Sequence, residues 1–182
     1  MFHSNTELLI DYWREQKGLD RAPARARINP ADFASLLPQV FMLGRLRPGQ
    51  YGFRLVGGLV GDLHGGHLSA ADPILLWAPA YRASLQLALE AIRRQPEPLV
   101  IASQGRACGG QTLGLEITLA PLTGPNGEID RLIGLYQPTT PVAALMGQPI
   151  ETLVIRNITA AGSVGAAFPR LKLAAMDGRQ IA

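Results

Sequence analysis

Apolar and polar residues alternate without a break from residue 112 to 120. Leu113, Leu115, Ile117 and Leu119 fall on one side; Thr112, Gly114, Glu116, Thr118 and Ala120 fall on the other. Successive side chains of a strand point to opposite faces, so the spacing predicts a β-strand with one apolar and one mostly polar face. Turn residues follow in Thr123-Gly124-Pro125-Asn126-Gly127, and residues 129–136 read as a second, more apolar strand. Such a hairpin needs a helical layer over its apolar face.

The rest of the chain supplies that layer. Ser4 and Glu7 have the spacing of a capping box, and Leu8, Leu9, Tyr12 and Trp13 then recur at helical spacing until Gly18. Residues 21–29 form an arginine-bearing connector and 30–37 a short helix. Residues 40–47 and 51–56 read as paired strands about Pro48-Gly49, with Tyr51, Phe53 and Leu55 on one face. The glycine-rich stretch 57–71 suggests short helical turns. Pro79 opens the longest helix, whose apolar side carries Tyr81, Leu85, Ala88, Leu89 and Ile92 and which Pro96 closes. Residues 99–104 give a strand ahead of the hairpin, and 151–158 read as another after a linker. Residues 159–169, mostly Ala, Gly and Ser, read as mobile, and 171–176 as a last apolar piece.

Composition narrows the class. A chain of 182 residues with 47% hydrophobic and 17% charged content fits one folded domain with terminal extensions. We expect a helical cap and connector over 1–37, a core over 38–138, and a partly mobile extension over 139–182. No apolar run approaches the roughly 20 residues needed to span a bilayer. Polar and acidic residues by position 7 do not fit a signal peptide, which points to the cytoplasm. The single cysteine, Cys108, leaves no internal disulfide. The net charge of +3 is almost all arginine, scattered apart from Arg21, Arg25, Arg27 and the pair Arg93-Arg94. That is not the dense basic face with interleaved aromatics of a nucleic-acid binder, so no nucleic-acid partner is expected.

The element order is strand, strand, short helices, one long helix, then three strands. With Leu9-Ile10-Asp11-Tyr12-Trp13, Leu36-Leu37-Pro38-Gln39-Val40-Phe41, Phe53-Arg54-Leu55-Val56-Gly57 and Ile129-Asp130-Arg131-Leu132-Ile133-Gly134, it resembles a family of stand-alone bacterial PAS-like proteins. The resemblance covers about residues 7–138. It implies an α+β fold: a five-stranded antiparallel sheet with helices on one face, here with an added N-terminal amphipathic helix. It also implies a sensory or interaction module, with no catalytic residues to carry over. Two positions depart from the family pattern: Gly58 stands where a Thr is usual, and Gly65-Gly66-His67-Leu68 replaces a Gly-Arg-Asp-Leu-like turn.

Other candidate chemistry is thin. Gly105-Arg106-Ala107-Cys108 is similar to the Gly-Arg-x-Cys string of flavin-binding photosensor PAS domains. That cysteine belongs before the long helix, whereas Cys108 follows it between two strands and reads as a turn residue. His64 and His67 have the spacing of paired metal ligands, but only Asp62 is near as a third, so we expect loop histidines and no metal. Haem-binding PAS domains use a histidine on the long helix, and residues 78–95 contain none. Gly57, Gly58 and Gly61 follow a strand but open no long helix, unlike a dinucleotide loop. Glu116, mid-strand on the polar face, reads as a salt-bridge partner for an arginine. No acid, base and nucleophile converge, so neither catalytic residues nor a cofactor are expected.

The sequence thus points to a non-enzymatic sensory module that changes protein contacts, with a small apolar ligand as an optional trigger. Two alternatives stand beside it: an enzyme or carrier for a small apolar molecule, and a ligand-free dimerisation scaffold. The candidate ligand lining is Leu55, Leu59, Leu63, Trp77, Tyr81, Leu85, Ile101, Leu115 and Ile117, with the Tyr81 hydroxyl and Trp77 indole as polar handles. Large side chains competing for the same space make a filled core the competing expectation. Leu8, Leu9, Tyr12 and Trp13 are the candidate interface. They are expected to lie on the outer face of the hairpin and to bring two copies together as a homodimer.

Overall fold

The computed structural model describes residues 1–66, 68 and 71–161. Its centre is one antiparallel sheet. The strands are β1 (Val40–Arg47), β2 (Gln50–Val56), β3 (Leu99–Ala107), β4 (Thr112–Thr123), β5 (Ile129–Pro138) and β6 (Ile150–Ala160). Their spatial order is β2-β1-β5-β4-β3-β6. The expected five strands are therefore six. Residues 150–160 pair with β3 along nearly its whole length, from Leu99↔Ala160 to Ala107↔Ile150, and so add a strand to what would be a bare edge.

The helices are α1 (Ser4–Lys17), α2 (Gly58–Leu63) and α3 (Pro79–Arg94), and a 3-10 segment runs over Pro30–Gln39. They divide between two cores. On the inner face, α2 and α3 cover Phe41, Leu43, Phe53, Leu99, Ile101, Leu113, Leu115, Ile117, Leu119 and Tyr136. On the outer face, α1, the connector and Phe33 and Leu36 of the 3-10 segment cover Met42, Ala120, Leu122, Ile133 and Leu135. The mobile stretch and last apolar piece expected beyond residue 161 lie outside the described residues.

The start of α1 differs from the expected capping box. His3 is the N-cap, with Nδ1 accepting from the Asn5 amide at 3.2 Å, and Glu7 reaches back to the Phe2 amide at 3.2 Å. Ser4 is already helical. Gly18 ends the helix with φ 52°, a conformation glycine adopts without strain.

Two glycines of the family-like strings have a packing reason. A Cβ on Gly134 would lie inside the ring of Phe41, its register partner on β1. A Cβ on Gly57 would press on the carbonyls of Leu37 and Pro38, which are backbone and cannot turn aside. Overpacking of this kind costs about 1–3 kcal/mol where a neighbour can yield. Gly57→Ala should therefore destabilise the protein by at least about 2 kcal/mol in chemical denaturation. A change under 0.5 kcal/mol would mean that the 3-10 segment is not held against β2, since surface changes fall in about that range.

Candidate functional site

The inner face between α3 and the sheet retains a cavity of about 30 Å³. Phe41, Leu43, Phe53, Trp77, Leu85, Leu89, Ile117, Leu119 and Tyr136 are among its walls. That space is room for a water molecule or two, whereas drug-sized ligand pockets take roughly 300–1,000 Å³. Edge-to-face contacts of Phe41 with Phe53 (5.9 Å) and with Tyr136 (5.4 Å) fill much of the rest.

Of the nine residues expected to line this space, Trp77, Leu85 and Ile117 do so. Leu63, Ile101 and Leu115 are buried in the same core away from the void, and Leu59 and Tyr81 are half-buried. Leu55 does not belong to this core at all. A β-bulge pairs Met42 with Leu55 but Leu43 with Phe53, so Arg54 is an extra residue and the alternation reverses phase. Leu55 then faces the outer side at the sheet edge, 46% exposed.

Tyr136 lines the cavity beside Trp77, while Tyr81, the other expected polar handle, is not among its walls. The Tyr136 hydroxyl lies 3.3 Å from His64 Nε2, and His64 Nδ1 lies 3.1 Å from the Ile150 carbonyl. A carbonyl only accepts, so Nδ1 carries the proton and donates, and Nε2 accepts from the Tyr136 hydroxyl. One imidazole thus joins the end of α2 to β5 and to the first residue of β6. Burial holds the His64 pKa below its ordinary value against the opposing pull of the Ile150 bond, and burial alone pushes Tyr136 far up. Parity along β5 places Tyr136 on the inner side with Leu132. No local signal in the sequence couples it to a histidine 72 residues earlier. His67, which shares a ligand-like spacing with His64 and was expected to be a loop histidine, lies outside the described residues. Among those residues no three His, Cys, Asp or Glu side chains group as a metal site would need.

The outer face carries the second candidate. Trp13 is buried, and its indole Nε1 donates to the Pro121 carbonyl at 2.7 Å, while Lys17 lies over the ring at 5.3 Å. The Tyr12 hydroxyl accepts from the Asn29 amide at 2.9 Å, and its ring meets Phe33 edge-on at 5.1 Å. The expected stripe needs one correction: Leu8 is 45% exposed, and the buried set is Thr6, Leu9, Ile10, Tyr12 and Trp13. At the start of α1, Glu116 Oε2 accepts from the His3 amide at 3.0 Å, and Asn5 Nδ2 donates to Gln137 Oε1 at 2.9 Å. Glu116 therefore anchors the helix where an arginine salt bridge had been expected. Cys108 is exposed in the β3–β4 turn.

A family model for the PAS domain matches residues 1–137. The chain belongs to the PAS domain family. The match spans α1 and the first five strands, and β6 lies outside it. No curated protein sequence matches the chain. Among solved structures, it is similar to the blue-light photoreceptor Aureochrome1 LOV, at 12% identity over 63% of this chain and 84% of that one, with a TM-score of 0.47. The Rhodobacter sphaeroides LOV protein aligns at 10% identity over 65% of this chain and 72% of that one, TM-score 0.46. The Vibrio cholerae VqmA–ligand–DNA complex aligns at 17% identity over 62% and 53%, TM-score 0.45. In this PAS domain no helix among the described residues is long and apolar enough to cross a membrane.

The His64 bridge sets a pH dependence. Its pKa is lowered on folding, so the unfolded chain binds a proton more readily, near the ordinary value of about 6.5. Its contribution is full above about pH 6.5 and is lost as pH falls toward the folded value, because a protonated Nε2 cannot accept from Tyr136. Denaturation at pH 7.5 and pH 5.5 should show the native protein losing stability on acidification, with a shallower slope in His64→Asn. Equal slopes would place His64 outside the titrating set.

Proposed function

We propose that this PAS domain is a non-enzymatic sensory module whose output is the release of α1 from the outer face of the β4–β5 hairpin. The observation that carries this reading is the composition of the α1 interface. From Leu9 to Trp13 it is apolar and aromatic; burial of Leu9, Ile10, Tyr12 and Trp13 contributes about 6–10 kcal/mol before entropy costs. Its first turn is polar and incompletely satisfied. The hydroxyls of Thr6 and Thr118 are fully buried with no partner among the described residues, each at a cost of about 1–3 kcal/mol. A helix held by favourable and unfavourable terms in one interface is one that a modest signal shifts between docked and free.

The released α1 exposes an apolar face on both helix and sheet, which changes what the protein contacts. In the docked state two copies associate across this layer, with Leu8 turned outward at the contact. A small apolar ligand would act from the inner side by widening the cavity behind Phe41 and Tyr136. The size of that cavity favours one second reading, a ligand-free scaffold whose core its own side chains fill.

Trp13→Glu should leave α3 and the sheet protected in hydrogen exchange while the amides of α1 lose protection. If α1 stays protected, or every element unfolds with it, the releasable-helix reading is wrong. In sedimentation the unmodified protein should run as a dimer and Leu8→Glu as a folded monomer. A monomer for the unmodified protein at high concentration removes the dimer and leaves the release of α1 to be judged on exchange alone.

A further inference from the structure

Where the C-terminal half of α3 crosses β1 and β2, three buried hydrogen-bonding atoms find no partner among the described residues: the Tyr51 hydroxyl, Arg45 Nε and Arg93 Nε. Arg45 and Tyr51 are register partners across β1 and β2, so their side chains share the inner face. Tyr51 is 2% exposed. The charges acting on its hydroxyl are Arg93, Glu90 and Arg45. Glu90 is already engaged, with Oε2 3.1 Å from Arg93 Nη1. None of Arg45, Tyr51 and Arg93 is among the residues lining the apolar cavity.

Buried polar atoms in folded proteins are nearly always hydrogen-bonded, and a group of exceptions in one place calls for an acceptor that the chain does not supply. The two guanidinium groups can only donate. Burial holds the Tyr51 phenol protonated, with its pKa raised, so it too has a proton to give. Two guanidinium cations against one carboxylate leave the corner with a single excess positive charge. Arg45 and Arg93 are half-buried as whole residues, whereas Tyr51 is buried.

We propose that this corner binds one oxyanion, a phosphate or carboxylate group, between Arg45 and Arg93 with the Tyr51 hydroxyl beneath it. Guanidinium forks match the paired oxygens of both groups. Glu90 orients Arg93 and limits the site to a single negative charge. The site is separate from the α1 interface and stands or falls independently of it.

Calorimetric titration of the full chain with inorganic phosphate, and separately with acetate, in a zwitterionic buffer at low ionic strength tests this. One saturable site for at least one of the two anions is expected. Tighter binding of phosphate identifies a phosphate ligand, and tighter binding of acetate a carboxylate. Arg45→Gln and Arg93→Gln should each weaken binding about tenfold, as loss of a charge-assisted hydrogen bond does, and Tyr51→Phe by less. Glu90→Gln should tighten it. Arg45→Gln, outside the helix, decides the matter if Arg93→Gln disturbs the far-ultraviolet dichroism. No saturable heat from either anion, or unchanged affinity in Arg45→Gln, overturns the proposal.

Discussion

The β4–β5 hairpin is buried on both faces, and this double burial organises the molecule. A strand with one wet face alternates, and β4 does so from Thr112 to Ile117; from Thr118 to Leu122 every residue is buried. Two layers are needed to achieve that. The inner one is supplied by α2 and α3, and the outer one by α1 with the connector behind it. The connector also continues the sheet where β3 stops, since the Thr123 amide donates to the Pro23 carbonyl at 2.9 Å. Pro121 has no N–H to satisfy, and its carbonyl takes the indole proton of Trp13.

The two layers differ in kind. The inner one is closely packed, with aromatic rings meeting edge to face and the Tyr136–His64 pair satisfied within itself, while Tyr51, Arg45 and Arg93 leave polar atoms unpartnered at one corner. The outer one mixes a firmly packed aromatic end with a polar end that leaves two threonine hydroxyls unpartnered among the described residues. Those two hydroxyls lie in the interface that the release of α1 would open. The sixth strand adds a further tie: Ile150 is gripped by His64, and the Ala78 amide donates to the Leu153 carbonyl at 2.9 Å. What happens around α2 is thus mechanically linked to a strand beyond the PAS match.

Much of this was legible in the sequence, because alternation, turn residues and caps act locally. Strand and helix positions and the long α3 follow from period and punctuation. The failures share one cause: they depend on partners distant in the chain. Leu8 and Ile10 are both apolar, and the expected stripe 8-9-12-13 and the buried set 6-9-10-12-13 share three members, so only the facing sheet could choose between them. The bulge at Arg54 reverses the facing of Leu55, and nothing in Phe53-Arg54-Leu55 announces it. The candidate cavity was drawn too wide because the rings of Phe41 and Tyr136, from the first and fifth strands, occupy it together. Arg45, Tyr51 and Arg93 come from three elements, so nothing local in the sequence brings them together.

The central claim is that the outer layer opens independently of the inner one. Native-state hydrogen exchange of the unmodified protein, followed residue by residue through low denaturant, measures this directly. The account predicts that the amides of α1 exchange through a partial opening of lower free energy than those of β4, β5 and α3. Exchange of α1 amides only through global unfolding, together with the sheet, would contradict it.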